Sequence, residues 1–126
     1  MSKKKILIID DEPGFTEMVK LNLEATGNYL VKVENRGVRA LQSALAYHPD
    51  LILLDIIMPD SEGPDICYQL QNHNSLQNTP IVFLTATIRK DEVASQNGNV
   101  GGHAFLAKPS NLKELIDCIE NHLRPS

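Results

Sequence analysis

The chain has 126 residues, of which 42% are hydrophobic and 22% charged, and its formal net charge is −4. This length suits one compact domain, the composition argues against disorder, and the lack of a basic stripe argues against direct contact with nucleic acid. Only four apolar residues separate the lysines at the start from an acidic run, which is too short for a signal peptide or a membrane span. We therefore expect a cytoplasmic domain. Two widely spaced cysteines, Cys67 and Cys118, are expected to stay reduced.

Short apolar runs alternate along the chain with longer segments of helical period. The first run, residues 5–9, precedes a predicted helix in which Pro13 fits the first turn and Gly27 marks the stop. Its apolar face is expected to include Phe15, Met18, Val19, Leu21, Leu23 and Ala25. Residues 29–34 alternate between apolar and polar side chains, which indicates an edge strand. A second helix is predicted over residues 38–47, with Val38 on its apolar face.

The same alternation continues through the second half of the chain. The continuous apolar run at residues 50–54 predicts a central strand. Helices are predicted over residues 63–72 and 112–123, with a weak helix over 90–97. Strands are predicted over residues 80–84 and 103–107, and a loop at 97–102. Five strands that alternate with five helices predict an α/β domain with a parallel sheet and helices on both faces. In such sheets the functional crevice lies beyond the carboxyl ends of the strands.

All five predicted strands end on polar or charged side chains, and four of these ends are expected to open onto the same rim of the sheet. These four ends are Asp10-Asp11, Asp55, Thr85 and Lys108. Three neighbouring carboxylates repel one another, so either their pKa values rise or a cation binds among them. Carboxylate oxygens suit Mg²⁺ better than a transition metal. The fifth end, Glu34-Asn35 on the edge strand, is expected to take no part.

The same strand ends could bind a phosphoryl group. Lys108 would add a positive charge and Thr85 a hydroxyl donor, which together with a metal form a clamp for three charged oxygens. Asp55 follows the central strand and could act as a nucleophile that forms an aspartyl phosphate.

Five short motifs, each close to the end of a predicted strand, carry a family resemblance. They are IIDDE at 8–12, LLDIIMP at 53–59, Gly63, FLTA at 83–86 and FLAKP at 105–109. In this order the motifs resemble those of the receiver domain of two-component response regulators, over nearly the whole chain from Lys5 to about Leu123. The resemblance implies a flavodoxin-like sheet with the strand order 2-1-3-4-5. It also implies a single receiver domain over 1–126, with 124–126 either a terminus or the start of a linker.

The resemblance implies a role for each matching residue. Asp55 would be the phosphoacceptor. The metal, Mg²⁺ with Mn²⁺ as a possible substitute, would be bound by Asp10, Asp11, Asp55 and the backbone carbonyl of Ile57. Lys108 would hold a phosphoryl oxygen, aimed by a cis peptide bond before Pro109.

Phosphorylation is implied to act through a conformational switch. Thr85 would bond the phosphoryl group and Phe105, the switch aromatic, would turn inward with it. The donor would be a sensor histidine kinase or a phosphotransfer protein. The chain would catalyse only its own aspartyl phosphorylation and dephosphorylation, so it is not expected to be a conventional enzyme. Output, and possible homodimerisation, would use the face of the fourth helix, fifth strand and fifth helix. The stretch Asn97–Gly102, rich in glycine and asparagine, departs from the family pattern and predicts a short or mobile fourth helix.

Other interpretations of the same residues remain. Asp10, Asp11 and Glu12 could be the acidic start of a helix. A phosphohydrolase with an aspartyl nucleophile would need an acid where Ile57 stands, and a nucleotide-binding module would need an anion cradle where the chain has DDEPG. A degenerate receiver that acts only as a phosphorylation-independent interaction domain is the main alternative. The sequence names neither the kinase nor the output.

Overall fold

The computed structural model describes residues 3–59, 61–85, 99–100, 103–108 and 111–123. The weak helix predicted over 90–97, the peptide bond before Pro109 and residues 124–126 lie outside these ranges. Within them, no helix is both long enough and apolar enough to cross a membrane.

The strands form one main sheet and one small hairpin. In chain order they are β1 (Lys4–Ile9), β2 (Tyr29–Glu34), β3 (Leu51–Asp55), β4 (Ile57–Met58), β5 (Ser61–Glu62), β6 (Ile81–Thr85), β7 (Asn99–Val100) and β8 (His103–Ala107). The main sheet has the order β2-β1-β3-β6-β8-β7, and β4 pairs with β5 separately. The contacts of β1 with β2 and β3, of β3 with β6 and of β6 with β8 are all parallel.

The helices connect these parallel strands. They are α1 (Pro13–Ala25), a 3-10 turn (Gly37–Arg39), α2 (Ala40–Tyr47), α3 (Gly63–Gln71) and α4 (Leu112–Leu123). The prediction of an α/β fold with a parallel sheet is therefore confirmed. The predicted strand count was incomplete. The strand β7 adds a short antiparallel strand to the edge, within the stretch that we expected to be a loop, and β4 and β5 form a further short hairpin.

Two apolar clusters lie on the two faces of the sheet. Side chains alternate across a strand, so Leu7 and Ile9 enter one cluster while Ile6 and Ile8 enter the other. The first cluster packs against α2 and α3, and the second against α1 and α4. Helices on both faces are thus confirmed. Burial of each such side chain contributes about 1.5–3 kcal/mol, which makes the strand core the main source of stability.

The predicted apolar faces of two helices were partly wrong. The buried residues of α1 are Thr16, Val19 and Leu23, whose spacing marks one narrow face. Met18 and Leu21 lie off that face and are 44% and 61% exposed; Ala25 is exposed as well. Val38 is also 61% exposed, because it lies in the 3-10 turn before α2 instead of inside a helix.

Two local predictions are confirmed. Gly27 has φ of 83°, a left-handed conformation that glycine adopts without a steric penalty, and it follows the end of α1. Cys67 is buried, Cys118 is half-buried, and both are free thiols. Burial raises the pKa of both thiols, so neither is activated as a nucleophile.

Candidate functional site

Asp10 and Asp55 meet because two central strands run side by side in the same direction. The register pairs Ile9 of β1 with Leu54 of β3. Asp10 follows β1 immediately, and Asp55 is the last residue of β3. The turn into α1 adds Asp11 and Glu12. One carboxylate oxygen from each of these four residues lies within 4.8 Å of the other three. The predicted group of acidic residues is therefore present at the carboxyl edge of the sheet, and Glu12 is a member that was not predicted.

Two of these carboxylates are buried. Asp10 is 0% exposed and Asp55 is 5% exposed. A buried charge is costly unless it is paired or hydrogen-bonded. Asp10 Oδ1 accepts a hydrogen bond of 3.0 Å from the backbone N–H of Glu12, which fixes the turn that holds the acidic residues.

Lys108 supplies the positive charge among these carboxylates. Its Nζ lies 2.8 Å from Asp10 Oδ2, 2.8 Å from Glu12 Oε1 and 3.7 Å from Asp55 Oδ2. The ring centroid of Phe15 lies 4.7 Å from the same Nζ, a cation–π contact. The predicted meeting of Lys108 with Asp10 and Asp55 is thus observed.

The acidic neighbours set the protonation of Lys108. Burial alone lowers the pKa of its ammonium, but the hydrogen bonds to Asp10 and Glu12 and the charges of Asp10 and Asp55 outweigh burial. The net effect is a raised pKa. Lys108 therefore carries its positive charge at neutral pH.

The end of the edge strand does take part, contrary to our expectation. The Asn35 side-chain amide donates to the backbone carbonyl of Asp10 at 2.7 Å and to Thr16 Oγ1 at 3.1 Å. The backbone carbonyl of Glu34 accepts from the N–H of Asp10 at 3.0 Å. Because β2 lies next to β1, its end borders the acidic turn and supports the backbone there.

Glu12 is the functional candidate that the sequence interpretation left out. It is the N-cap residue of α1, and its side chain makes no capping hydrogen bond. Its carboxylate contacts Lys108 instead. The signal in the sequence was a run of three acids after a strand, of which only the first two had been assigned to the site.

The other predicted site residues are placed by their backbone only. Thr85 ends β6 and pairs with Ala107 of β8, one residue before Lys108. Phe105 pairs with Phe83 in the same pair of strands. Ile57 begins β4, two residues after Asp55. The side chains of Thr85, Phe105 and Ile57 lie outside the described part of the structure, so their predicted roles stay predictions.

The donor set of the site fits a hard divalent cation. Asp10, Asp11 and Asp55 offer only oxygen ligands, while the carboxylate of Glu12 is paired with the Lys108 ammonium. Mg²⁺ prefers carboxylate oxygens and water, whereas Zn²⁺ favours nitrogen and sulfur ligands. The chemistry of the site thus fits Mg²⁺.

Comparison with known proteins agrees with this geometry. Residues 6–120 match the family model described as the response regulator receiver domain. The chain is 37% identical over 121 residues to the response regulator ArlR of Staphylococcus saprophyticus, covering 95% of this chain and 52% of ArlR. It is 30% identical to the polar-differentiation response regulator DivK of Brucella ovis, covering 95% of this chain and 96% of DivK. The chain therefore belongs to the response regulator receiver domain family.

A solved structure gives the same result for the fold. The chemotaxis protein CheY4 of Vibrio cholerae superposes with a TM-score of 0.83 at 27% identity, covering 97% of this chain and 100% of that one.

The chain spans about half the length, 46–52%, of four of the curated relatives that it matches. Those relatives therefore contain further sequence beyond the part that resembles this chain.

Proposed function

We propose that this receiver domain accepts a phosphoryl group on Asp55 from a phosphohistidine of a sensor histidine kinase or phosphotransfer protein. The observation that carries the proposal is a buried aspartate at the end of a central strand, within an acidic cluster and 3.7 Å from the ammonium of a lysine whose side chain is 7% exposed. A structural role alone gives no reason to collect four carboxylates, three of which lie within 3.7 Å of one ammonium.

In the proposed transfer, an oxygen of the Asp55 carboxylate forms a bond to phosphorus as the bond from phosphorus to the donor's imidazole nitrogen breaks. The electron pair of that bond returns to the imidazole, which takes up a proton. Hydrolysis by water later regenerates the carboxylate and releases inorganic phosphate. Lys108 would hold a phosphoryl oxygen through its ammonium, which the raised pKa keeps charged.

The acidic turn would bind the metal for this reaction. Asp10, Asp11, Asp55 and the backbone carbonyl of Ile57 would hold Mg²⁺ or Mn²⁺. Bound there, the ion would offset the carboxylate charge that otherwise repels a phosphoryl group. Asn35 would keep the turn in place through the Asp10 carbonyl.

Phosphorylation would be read out by a shift between two conformations. Thr85 and Phe105 would move toward the phosphoryl group. This movement would alter the face that includes β8 and α4, which are the fifth strand and fifth helix predicted from the sequence. A partner protein or a second copy of the chain would bind that face, in keeping with the two-component signalling role of the family. For the relatives of about twice this length, the corresponding proposal is that the receiver regulates a further domain of the same protein.

Intact-mass spectrometry tests the proposal directly. The chain is incubated with acetyl phosphate and Mg²⁺, beside Asp55→Asn and beside Asp117→Asn, a matched change at an exposed position on α4. We expect one added phosphoryl group in the wild type and in Asp117→Asn, and none in Asp55→Asn or after chelation of the metal.

Other outcomes assign the chain differently. Addition to Asp55→Asn would place the acceptor elsewhere. No addition to the wild type, from acetyl phosphate or from a phosphohistidine donor, would favour the degenerate receiver that acts only through protein interactions.

A further inference from the structure

Glu12 closes the cluster around Lys108 from the solvent side. The two carboxylates nearest to the Lys108 ammonium, those of Asp10 and Glu12, are both 2.8 Å away. Their surroundings differ: the Asp10 side chain is 0% exposed, whereas that of Glu12 is 60% exposed. An ion pair with an exposed partner is weak, because water readily replaces the lost contact. The pair with Glu12 is therefore the easier one to break.

The Lys108 ammonium has little capacity left for a new partner. A lysine carries three N–H donors. Two carboxylates lie at hydrogen-bonding distance, Asp55 lies at 3.7 Å, and the Phe15 ring is 4.7 Å from the nitrogen. Two of the three donors are therefore engaged, so a phosphoryl group on Asp55 that takes more than the remaining one has to displace a carboxylate from its donor. This step rests on the proposed function.

Asp10 is not suited to release that donor. Its other carboxylate oxygen accepts the N–H of Glu12 at 3.0 Å, and its backbone carbonyl is held by Asn35 at 2.7 Å. Movement of the Asp10 carboxylate away from Lys108 would leave a buried charge without its closest cation, which is costly. Glu12 can turn into water at low cost.

We propose that Glu12 is a positioning residue that holds Lys108 in the resting domain and competes with the incoming phosphoryl group for its ammonium. The carboxylate of Glu12 is an exchangeable counter-ion. Its contact with Lys108 slows the phosphorylation of Asp55 and is lost as the phosphoryl group arrives. Its negative charge at the mouth of the site also repels an anionic donor.

The test compares Glu12→Gln with Glu17→Gln. Both substitutions remove one carboxylate near the start of α1, but Glu17 is exposed on that helix outside the acidic cluster. The rate constant for phosphorylation by acetyl phosphate is measured by intact mass at saturating Mg²⁺. We expect Glu12→Gln to react about two- to fivefold faster, the range for loss of an ion pair with one exposed partner, and Glu17→Gln to match the wild type. The difference should shrink at high salt, which screens exposed charges.

A titration with Mg²⁺ alone separates this proposal from a metal-binding role of Glu12. Calorimetry on the unphosphorylated variants should give Mg²⁺ affinities within about twofold of the wild type, a small change expected for an exposed group. A large loss of Mg²⁺ affinity without a faster reaction at saturating Mg²⁺ would make Glu12 a metal ligand and overturn the proposal.

The remaining outcomes are also distinct. An equal or slower reaction of Glu12→Gln, with the wild type phosphorylated normally, overturns this inference alone. A wild type that takes up no phosphoryl group overturns the proposed function and this inference with it. A faster reaction cannot come from partial unfolding, so a gain in rate supports the specific contact.

Discussion

The two ends of the sheet carry charged side chains in opposite ways. At the carboxyl end, Asp10 is 0% exposed and the Lys108 side chain is 7% exposed. At the amino end, the Lys5 ammonium lies 3.4 Å from the carbonyl of Tyr47 and 5.6 Å from its ring centroid, and the exposed Asp50 accepts the backbone N–H of Lys5. The first set of charges is withdrawn from water and the second remains in contact with it.

The charges at the two ends therefore differ in what they cost the folded domain. Removing an ion from water costs several kcal/mol, and attraction to a partner repays that cost only when the geometry is favourable. Contacts of a charge that stays near water, such as those of the Lys5 ammonium with Tyr47, cost little and contribute little. A domain that needed only to fold could keep all of its charges as the amino end does. The buried cluster at the other end therefore indicates where the proposed chemistry takes place.

The largest effect is expected from Lys108→Met. Asp10 and Asp55 would lose their cation while remaining buried, so the free energy of unfolding should fall by about 3 kcal/mol in the absence of divalent metal. Added Mg²⁺ should restore much of the loss, because it replaces the missing positive charge. Urea unfolding with chelator and with Mg²⁺ measures both effects.

Lys5→Met is the matched control at the amino end. The free energy of unfolding should change by less than about 1 kcal/mol, and Mg²⁺ should affect it as it affects the wild type. Equal losses of unfolding free energy in Lys108→Met and Lys5→Met would contradict the difference between the two ends of the sheet.

A smaller effect is expected from Asn35→Ala. The variant removes both donors that support the Asp10 carbonyl and Thr16 Oγ1, so unfolding should be easier by about 1 kcal/mol and Mg²⁺ should bind several-fold more weakly. Calorimetric titration with Mg²⁺ gives the affinity. Asn22→Ala, at an exposed position on α1, is the control. Unchanged Mg²⁺ affinity in Asn35→Ala would show that the edge strand does not support the metal site.

The smallest effect is expected at alkaline pH. The pKa of Lys108 is raised above its usual 10.5, so the folded chain holds this proton more tightly than the unfolded chain does. Its stabilising contribution is complete below pH 10.5 and is lost as the pH rises through the folded-state pKa. The difference in unfolding free energy between the wild type and Lys108→Met, measured with chelator, should therefore shrink above pH 10.5. A constant difference would mean that packing of the lysine stem, not its charge, stabilises the site.

The sequence predicted the parts of the molecule that follow from periodicity. Continuous apolar runs identified the central strands, and parallel strands bring their ends to one edge, so Asp10, Asp55 and Lys108 were expected together. The prediction of buried helix faces failed where the apolar periodicity was weak. Met18 and Leu21 looked like core residues because α1 has apolar residues around more than one face, and only the packing decides which face is buried.

Contacts between distant segments were the part that the sequence could not predict. Asn35 and Asp10 are 25 residues apart, and their hydrogen bond depends on the exact end of an edge strand. Glu12 and Lys108 are 96 residues apart, and an acid at the start of a helix has an ordinary explanation in the helix dipole. Only the structure shows that the Glu12 side chain turns toward the lysine.

The concentration of acids at one edge also determines how the molecule carries its charge. Among the described residues, four carboxylates and one ammonium meet there, which is a local excess of three negative charges. The formal net charge of the whole chain is −4. A basic partner surface would be drawn to that edge over a distance of about one Debye length, roughly 8 Å at physiological ionic strength, so the charge would orient an encounter before any contact forms.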